Sequence, residues 1–216
     1  MALTKFNFNS FDVTSAASKG LGFNASANGF STFNPGAMTL ISTTTASSDS
    51  TIQITSGIDS TYPVYLFKFI NIHSSANAFL SFQADTGTNT NYNQTITSTF
   101  FSAFHDEADN YPSLTYRADD DAAQSTSDVK IGFRTGGGDD ADMSISGNVY
   151  IFNPSSSTFV KHFMTRFSSY DTGSYACDTF VAGYVNTATA ITRFRFKMNT
   201  GNIDSGTIKL YGISDS

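Results

Sequence analysis

Three carboxylates in the stretch GGGDDADMS are the first residues with the chemistry of a metal site. Asp139, Asp140 and Asp142 follow three glycines, and a flexible loop of carboxylates suits Ca²⁺, which takes about six to eight oxygen ligands. The stretch lacks the D-x-D/N-x-D/N-G spacing of an EF-hand loop, and the glycines equally suit a turn with positive φ between two strands. We therefore assign no metal ligand and leave open whether the Asp139-Asp140-Asp142 loop binds Ca²⁺.

A second acidic stretch, HDEADNYP, holds Asp106, Glu107 and Asp109 beside Tyr111. Hydrolysis of a glycosidic bond needs two carboxylates about 5–9 Å apart on either side of the sugar. Nothing in the sequence fixes such a second partner, and adjacent residues of a strand point to opposite faces. We therefore predict no catalytic residue here. Sugar binding without cleavage would need only aromatic and polar groups, which the chain has in plenty.

The nucleophiles and bases of the chain form no recognisable catalytic pattern. None of the histidines, His73, His105 and His162, stands near a G-x-S-x-G elbow or a reactive-cysteine signature. A P-loop, a dinucleotide fingerprint and a CxxC pair are also absent from the sequence. We predict that each histidine is structural or on the surface and that Cys177 is a small buried side chain. The protein is then not an enzyme and needs no cofactor.

The stretch ITRFRFKM (191–198) separates its apolar and cationic residues by parity. Successive side chains of a strand point to opposite faces, so the sequence predicts a strand with one apolar and one cationic face. The first face consists of Phe194, Phe196 and Met198, and the second of Arg193, Arg195 and Lys197.

Three alternatives explain this cationic face. It pairs with acidic loops of the same chain, it pairs with acidic loops of a neighbouring subunit, or it binds an anionic ligand such as a polysaccharide. We favour the two pairing alternatives because the chain has 18 acidic residues. Arg193, Arg195 and Lys197 are therefore assigned to assembly.

The elements that position these residues are predicted to be β-strands throughout. The 216 residues include 30 Ser, 28 Thr, 21 Phe and 10 Tyr but only 7 Leu, and 17 of the 18 acidic residues are Asp. Helices favour Leu, Glu and Lys, whereas strands favour β-branched and aromatic residues and turns favour Asn, Asp and Ser. The net charge of −6 argues against a nucleic-acid partner, because neutralising phosphates needs a basic surface. No run approaches the ~20 apolar residues of a membrane span, so we predict no membrane insertion.

Residues 1–36 differ from the rest because phenylalanine is scattered at uneven intervals among Asn, Ser, Ala and Gly. No helix or strand period holds for long, yet the segment is too rich in Phe for a solvated tail. We predict an extended N-terminal arm that packs on a neighbouring surface, either of another subunit or of its own domain. The residues assigned to this contact are Phe8, Phe11, Phe23, Phe30 and Phe33.

Residues 37–216 are predicted to form one antiparallel β-sandwich domain of two sheets with a jelly-roll-like strand order. The stretch 62–72 is apolar at both parities, which predicts a central strand covered on both faces. In 78–85, Phe79 and Phe82 are out of phase, which predicts a bulge or bend.

The second half of this domain is predicted with one long polar segment. The stretch 93–107 is predicted as a strand. In 106–142 the polar stretches are predicted as loops, with at most one short helical turn at 119–126, and VKIGFRT (129–135) as a strand. Turns between paired strands are predicted at Asn153-Pro154 and at Asn199–Gly201.

Four stretches between residues 38 and 213 carry a resemblance to a known family: MTLISTTTASSDSTIQITSGIDSTYPVYLFKFINIH, FNPSSSTFVKHF, FVAGYVNTATAI and SGTIKLYGI. In this order they resemble structural proteins of tailed marine bacteriophages, of the virion, tail or fibre-related kind. The resemblance implies a protein made in the host cytoplasm and built into the virion beside other virion proteins, as a homo-oligomer with a trimer favoured.

The expected function is that of a non-catalytic structural component of a tailed bacteriophage virion, such as a capsid accessory, tail or fibre-type protein. It would assemble through its N-terminal arm and the surface of its sandwich. The alternative is a glycan- or host-receptor-binding, lectin-like module on the phage particle, with a host surface glycan as its partner.

Overall fold

The protein is built from β-strands, as the composition predicts. A computed structural model describes residues 20–23, 26, 29–33, 38–137 and 140–214, without the side chains of 33 and 134–137. These residues form fifteen strands and no helix, which confirms the all-β prediction. The strands are β1 Gly20–Phe23, β2 Phe30–Phe33, β3 Met38–Thr45, β4 Ile52–Ile54, β5 Val64–Ser74, β6 Ala78–Asp85, β7 Ile96–Asp106, β8 Ser113–Tyr116, β9 Ala122–Ser125, β10 Val129–Gly137, β11 Ile145–Phe152, β12 Lys161–Asp171, β13 Tyr175–Val185, β14 Arg193–Met198 and β15 Ile203–Ile213.

The chain divides into two units, residues 1–39 with Ser216 and residues 40–215. In the first unit, β1 and β2 pair as an antiparallel hairpin. The rings of Phe23 and Phe30 stack across this hairpin with their centroids 5.1 Å apart. Part of the segment that was expected to be irregular is thus a regular two-stranded element.

The second unit contains two sheets of unequal size. One has four strands in the order β10-β6-β14-β4. The other has nine strands in the order β3-β15-β5-β11-β12-β13-β7-β8, and β9 also pairs with β7. Consecutive strands β11, β12 and β13 are neighbours in the large sheet, whereas β4, β5, β6 and β7 alternate between the two sheets.

Aromatic rings from the two sheets meet in the core. The ring of Phe67 in β5 lies 5.3 Å from that of Phe194 and 5.0 Å from that of Phe196 in β14. The ring of Phe82 in β6 lies 4.9 Å from that of Phe163 in β12. All five side chains are buried. Burying such a side chain contributes about 1.5–3 kcal/mol, and an edge-to-face contact about 0.5–1.5 kcal/mol more, so this aromatic layer holds the sheets face to face.

The predicted cover on both faces of the stretch 62–72 holds at Leu66, whose outward side chain is buried, but not beyond it, and a bulge accounts for the mixed pattern of the second half. β5 is central in its sheet, but Lys68 on its outer face is exposed. Asn71 has a φ of 48°, and the register of β5 with both neighbouring strands shifts there. An inserted residue resets the alternation. Phe69 and Ile72, three positions apart, therefore share the buried face.

The stretch 78–85 forms β6, and other parts of the protein cover this strand on both faces. Phe82 faces the core, while Gln83 on the opposite face is also buried. β6 pairs with β14 without a register shift, and the irregularities lie in its pairing with β10, at Ile131 and again between Gly132 and Gly137. The bulge predicted for β6 is thus located in β10. Phe79 and Phe82 are out of phase because protein covers both faces of β6.

The polar segment 106–142 contains three strands: β10, which the sequence predicted, and β8 and β9, which it did not. β8 and β9 both pair with β7 at the edge of the large sheet. A turn at 118–120 leads into β9, so the predicted helical turn at 119–126 is wrong. The backbone of β7 supplies hydrogen-bond partners to both β8 and β9, and β9 (Ala122–Ser125) forms a strand although its residues have low strand propensity.

The remaining strand and turn predictions are confirmed. The stretch 93–107 contains the long strand β7. The amide of Ser156 donates to the carbonyl of Asn153 at 3.1 Å, which closes the turn between β11 and β12. Gly201 has a φ of 68° in the turn between β14 and β15.

Candidate functional site

The cationic stretch forms β14, which lies between β6 and β4 in the four-stranded sheet. Burial alternates along it, which confirms the predicted apolar face. The cations occupy the sheet face that turns away from the core. Their cross-strand partners on β6 are Asp85 for Arg193, Gln83 for Arg195 and Ser81 for Lys197.

Arg195 is fixed in place by a carboxylate and a ring. Its Nη2 donates to both carboxylate oxygens of Asp128, at 2.8 and 2.9 Å. Its guanidinium carbon lies 5.0 Å from the centroid of the Tyr92 ring. Both side chains of the ion pair are largely shielded from solvent, at 21% and 23% exposure. Such a bidentate contact orients the planar guanidinium and is stronger than a neutral hydrogen bond.

Gln83 and Tyr92 continue this polar network across the sheet. The side-chain amide of Gln83 donates to the carbonyls of Gln94, Thr126 and Ser127, at 3.0, 3.2 and 3.0 Å. The Tyr92 hydroxyl donates to the side chain of Gln53 at 2.9 Å. Burial raises the pKa of Tyr92, so this hydroxyl keeps its proton at neutral pH. The network ties the loops that follow β6 and β9 to the outer face of the small sheet.

For Arg195, the structure shows pairing with an acidic residue of the same chain, the first of the three alternatives. Arg193 donates to the carbonyl of Asn89 at 3.0 Å. Within the described ranges, no carboxylate lies within 4.0 Å of the Lys197 amine. The assembly role of these three cations stays a prediction.

The phenylalanines of the predicted arm are described in part. Phe23 and Phe30 are exposed on the β1–β2 hairpin. Phe33 ends β2, and its side chain is outside the described set. Phe8 and Phe11 also lie outside the described residues. Their assembly role stays a prediction.

The acidic stretches have structural contacts. Burial raises the pKa of Asp106, but hydrogen bonds from the amides of Tyr111 and Asn110, at 3.0 and 2.8 Å, outweigh it and lower that pKa. The carboxylate of Asp106 therefore closes the turn after β7. Asp140 and Asp142 are exposed, and Asp139 lies outside the described residues. The part of the chain that the structure describes has no group of three or more His, Cys, Asp or Glu side chains placed to hold a metal ion.

The three histidines and the cysteine lie on four different strands of the large sheet, β5, β7, β12 and β13. His73 Nδ1 lies 3.5 Å from Asp204, and His105 Nε2 lies 3.0 Å from Asp109. His162 is exposed and packs edge-on against the ring of Tyr184. Cys177 is buried in β13, as predicted.

The sequence did not predict the burial of two lysines, Lys130 in β10 and Lys161 in β12. Lys161 begins β12 and is fully buried, and its Nζ donates to the carbonyls of Phe159 and Thr187 at 2.6 and 3.0 Å. Burial lowers the pKa of this amine. The sequence gives no signal for this burial, because the two carbonyls belong to the loop before β12 and the loop after β13, which only the antiparallel pairing of these strands brings together.

The outer face of the large sheet, turned away from the small sheet, presents a continuous surface that we call the open face. Cross-strand partners align one row of its side chains through seven strands. At the usual strand spacing of about 4.8 Å, this row is about 29 Å long. Its members are Tyr116, Phe101, Phe180, Arg166, Asn148, Lys68 and Lys209.

The first half of this row is aromatic. The rings of Phe101 and Phe180 stack 5.0 Å apart and nearly parallel, and the Arg166 guanidinium lies 4.8 Å from the centre of the Phe180 ring. Stacking along the row directs the edges of these rings, not their faces, toward a partner. Five side chains of this part of the open face expose apolar surface, and we call them the apolar patch. They are Phe101, Leu114, Tyr116, Phe152 and Met164.

The second half of the row is cationic and lies beside a depression of about 560 Å³. Lys68, Arg166 and Ser168 line it, and Asn148 lies between Lys68 and Arg166 in the row. Arg166 is held by Asp178, whose carboxylate accepts its Nη2 at 2.7 Å. The sequence could not reveal this row, because its residues come from seven strands and become neighbours only through sheet order.

Comparisons with known proteins identify no relative: no family model, no curated protein and no solved structure matches the chain. A helix able to cross a bilayer is absent from the described ranges.

Proposed function

We propose that the protein is a non-catalytic structural component of a tailed bacteriophage virion and acts there as a homo-oligomer. The observation that carries this proposal is the apolar patch, which leaves large side chains such as Met164 and Leu114 exposed at 55% and 72%. Contiguous exposed apolar surface of this kind is typical of a contact with another protein. The resemblance to virion, tail and fibre-related proteins gives the kind of assembly.

The pairing of the strands supports a jelly-roll sandwich, a fold in which a long hairpin of strands is rolled into two sheets. The pairs are nested along the chain: β4 with β14, β5 with β11, β6 with β10, and β7 with β8 and β9. The pairs β6–β14 and β7–β13 close the roll within each sheet. The meander β11–β13 then occupies the place of a single strand, and β3 and β15 extend one edge.

The N-terminal segment supports attachment to a neighbour. Phe23 is 73% exposed on its hairpin, and an exposed aromatic pair is suited to burial against another chain. By contrast, among the residues that the structure describes, the buried ones that form the core of the second unit all follow residue 45. We therefore expect a protein without residues 1–36 to fold and to be missing from virions. Normal incorporation of this truncated protein would contradict an anchoring arm.

Light scattering on a sizing column tests the oligomer. We expect the full-length protein to elute as a closed oligomer, with a trimer favoured, and the Met164→Glu variant to elute at a lower mass because a charge is placed in the apolar patch. Phe159→Glu is the matched control, since Phe159 is 69% exposed but lies in the loop before β12. A monomeric full-length protein, or an equal effect of both variants, would exclude the apolar patch as the contact.

A further inference from the structure

The cationic end of the open face is built around two lysines that face each other. Lys68 of β5 and Lys209 of β15 are direct cross-strand partners, so their Cβ atoms lie about 5 Å apart on the same face. Like charges at this spacing repel each other. Within the described part of the chain, no carboxylate lies within 4.0 Å of either amine. An acidic protein of net charge −6 thus keeps an uncompensated pair of positive charges on its largest sheet.

The depression beside these lysines has a structural cause. The bulge at Asn71 bends β5 just beyond Ile70, and Ser146 holds the bulge by accepting the Asn71 amide at 2.9 Å. Small side chains at Ser146 and Ser168 keep the floor low. The bent strand and the low floor together produce a shallow site about 560 Å³ in volume, which is within the range of ligand sites.

The chemistry of this site matches an acidic sugar. Lys68 and Lys209 supply charge for an anionic substituent, and the Asn148 amide and Ser168 hydroxyl can donate to and accept from ring hydroxyls. Arg166 is oriented in advance by its pair with Asp178, at 3.2 and 2.7 Å. Ile70, 37% exposed, offers an apolar floor for the C–H face of a sugar ring.

We propose that this depression binds an acidic polysaccharide, with an anionic sugar substituent between Lys68 and Lys209. A peptide strand is disfavoured because β5 already pairs with β11 and β15, so its backbone has no free edge for added hydrogen bonds. Duplex nucleic acid is disfavoured by the net charge of −6. The site differs from the cationic strand β14, whose Arg195 is bound by Asp128 within the chain.

Isothermal calorimetry on the full-length protein tests this proposal with four probes of equal length. The probes are a tetragalacturonate, a sulfated tetrasaccharide, neutral maltotetraose and a tetra-aspartate peptide. We expect binding of at least one acidic sugar and weakening of that binding with added salt. Tight binding of the tetragalacturonate alone would identify a carboxylate as the anionic group. Tight binding of the sulfated tetrasaccharide alone would identify a sulfate.

The double variant Lys68→Gln/Lys209→Gln should bind the acidic sugar at least tenfold more weakly, with an unchanged melting temperature as the sign of an intact fold. Lys197→Gln, which removes a lysine from the other sheet, should bind normally. Three results would each overturn the proposal: no binding of either acidic sugar, equal binding by the double variant, or equal binding of the peptide or maltotetraose. The oligomeric mass of the double variant, measured separately, keeps this outcome distinct from the assembly proposal.

Discussion

Arg195 and Asp128 form a bidentate ion pair across 67 positions of sequence, with guanidinium–carboxylate distances of 2.8 and 2.9 Å. The pair joins the central strand β14 of the small sheet to the loop between β9 and β10. Because Arg195 is also stacked on Tyr92, its guanidinium has little freedom to meet another molecule. The middle cation of β14, Arg195, thus binds a loop of its own chain.

Arg195→Lys should lower the free energy of unfolding by about 1–2 kcal/mol, measured by urea denaturation. Lysine keeps the charge but cannot form two hydrogen bonds in the fixed geometry of the guanidinium, and a hydrogen bond to a charged group contributes about 1.5–3 kcal/mol. The matched control is Arg166→Lys, whose arginine is also bidentate but 68% exposed against 21% for Arg195. Arg166→Lys should lower the free energy of unfolding by much less, because an exposed ion pair contributes little to stability in water. Equal losses would show that burial does not strengthen the Arg195 pair.

Phe82→Ala should destabilise the protein by about 3–5 kcal/mol, because it removes a buried ring and leaves a cavity between the sheets. Phe82 is fully buried and contacts the ring of Phe163 in the opposite sheet. Phe159→Ala, at a position 69% exposed, should leave the denaturation midpoint almost unchanged. A loss below about 1 kcal/mol at Phe82 would be incompatible with two sheets packed through their aromatic layer.

Gly206→Ala should destabilise the protein by about 2 kcal/mol or more, since the strain is in the backbone. Gly206 has a φ of 111°, and an added Cβ would lie 2.5 Å from the carbonyl oxygen of Asn71, at the bulge of β5. Gly57→Ala is the control: its φ is also positive, at 83°, but its Cβ would meet side-chain methyls alone, of Ile41 at 2.6 Å and of Leu210 at 3.8 Å. Thermal melts of both variants should therefore show the larger decrease for Gly206→Ala.

Lys161 should make stability depend on pH on the alkaline side. Burial lowers the pKa of Lys161 in the folded state from its usual value of 10.5. Between the folded pKa and 10.5 the unfolded chain binds more protons, so the free energy of unfolding rises with pH in that window. The free energy of unfolding of the wild type should therefore rise relative to that of Lys161→Met as pH rises toward 10.5. Burial also lowers the pKa of Lys130, but Lys130 is present in both proteins and cancels. A difference that is constant from pH 7 to 10.5 would show that Lys161 titrates normally.

Two strands, β5 and β6, have apolar residues on both faces, and they show what the sequence could and could not predict. Both stretches, 62–72 and 78–85, were recognised as strands with apolar residues at both parities. The explanations were only partly right: the outer face of β5 is covered at Leu66 but not at Lys68, and β5 has a bulge at Asn71, whereas β6 has protein on both faces. An alternation pattern records only which residues are buried. It does not distinguish a residue inserted in a strand from a layer of loops above it.

The candidate surfaces divide in the same way. The parity of β14 could be read from eight consecutive residues, because alternation is a local property of an extended chain. The partner of Arg195 could not be predicted from the sequence. The chain has several Asp residues, and only the tertiary structure brings Asp128, in the loop before β10, next to Arg195. The Lys68–Lys209 pair was also invisible, since register between distant strands is set by the whole sheet.

By itself, the sequence determined that this protein consists of β-strands, that β14 has an apolar and a cationic face, and where the tight turns fall. These properties follow from the intrinsic preferences of single residues and from the period of two in an extended chain. The tertiary structure decided which strands are neighbours, which cations are paired within the chain, and which sheet face is left open. Those outcomes depend on contacts between residues far apart in sequence, and such contacts form only when both sheets are complete.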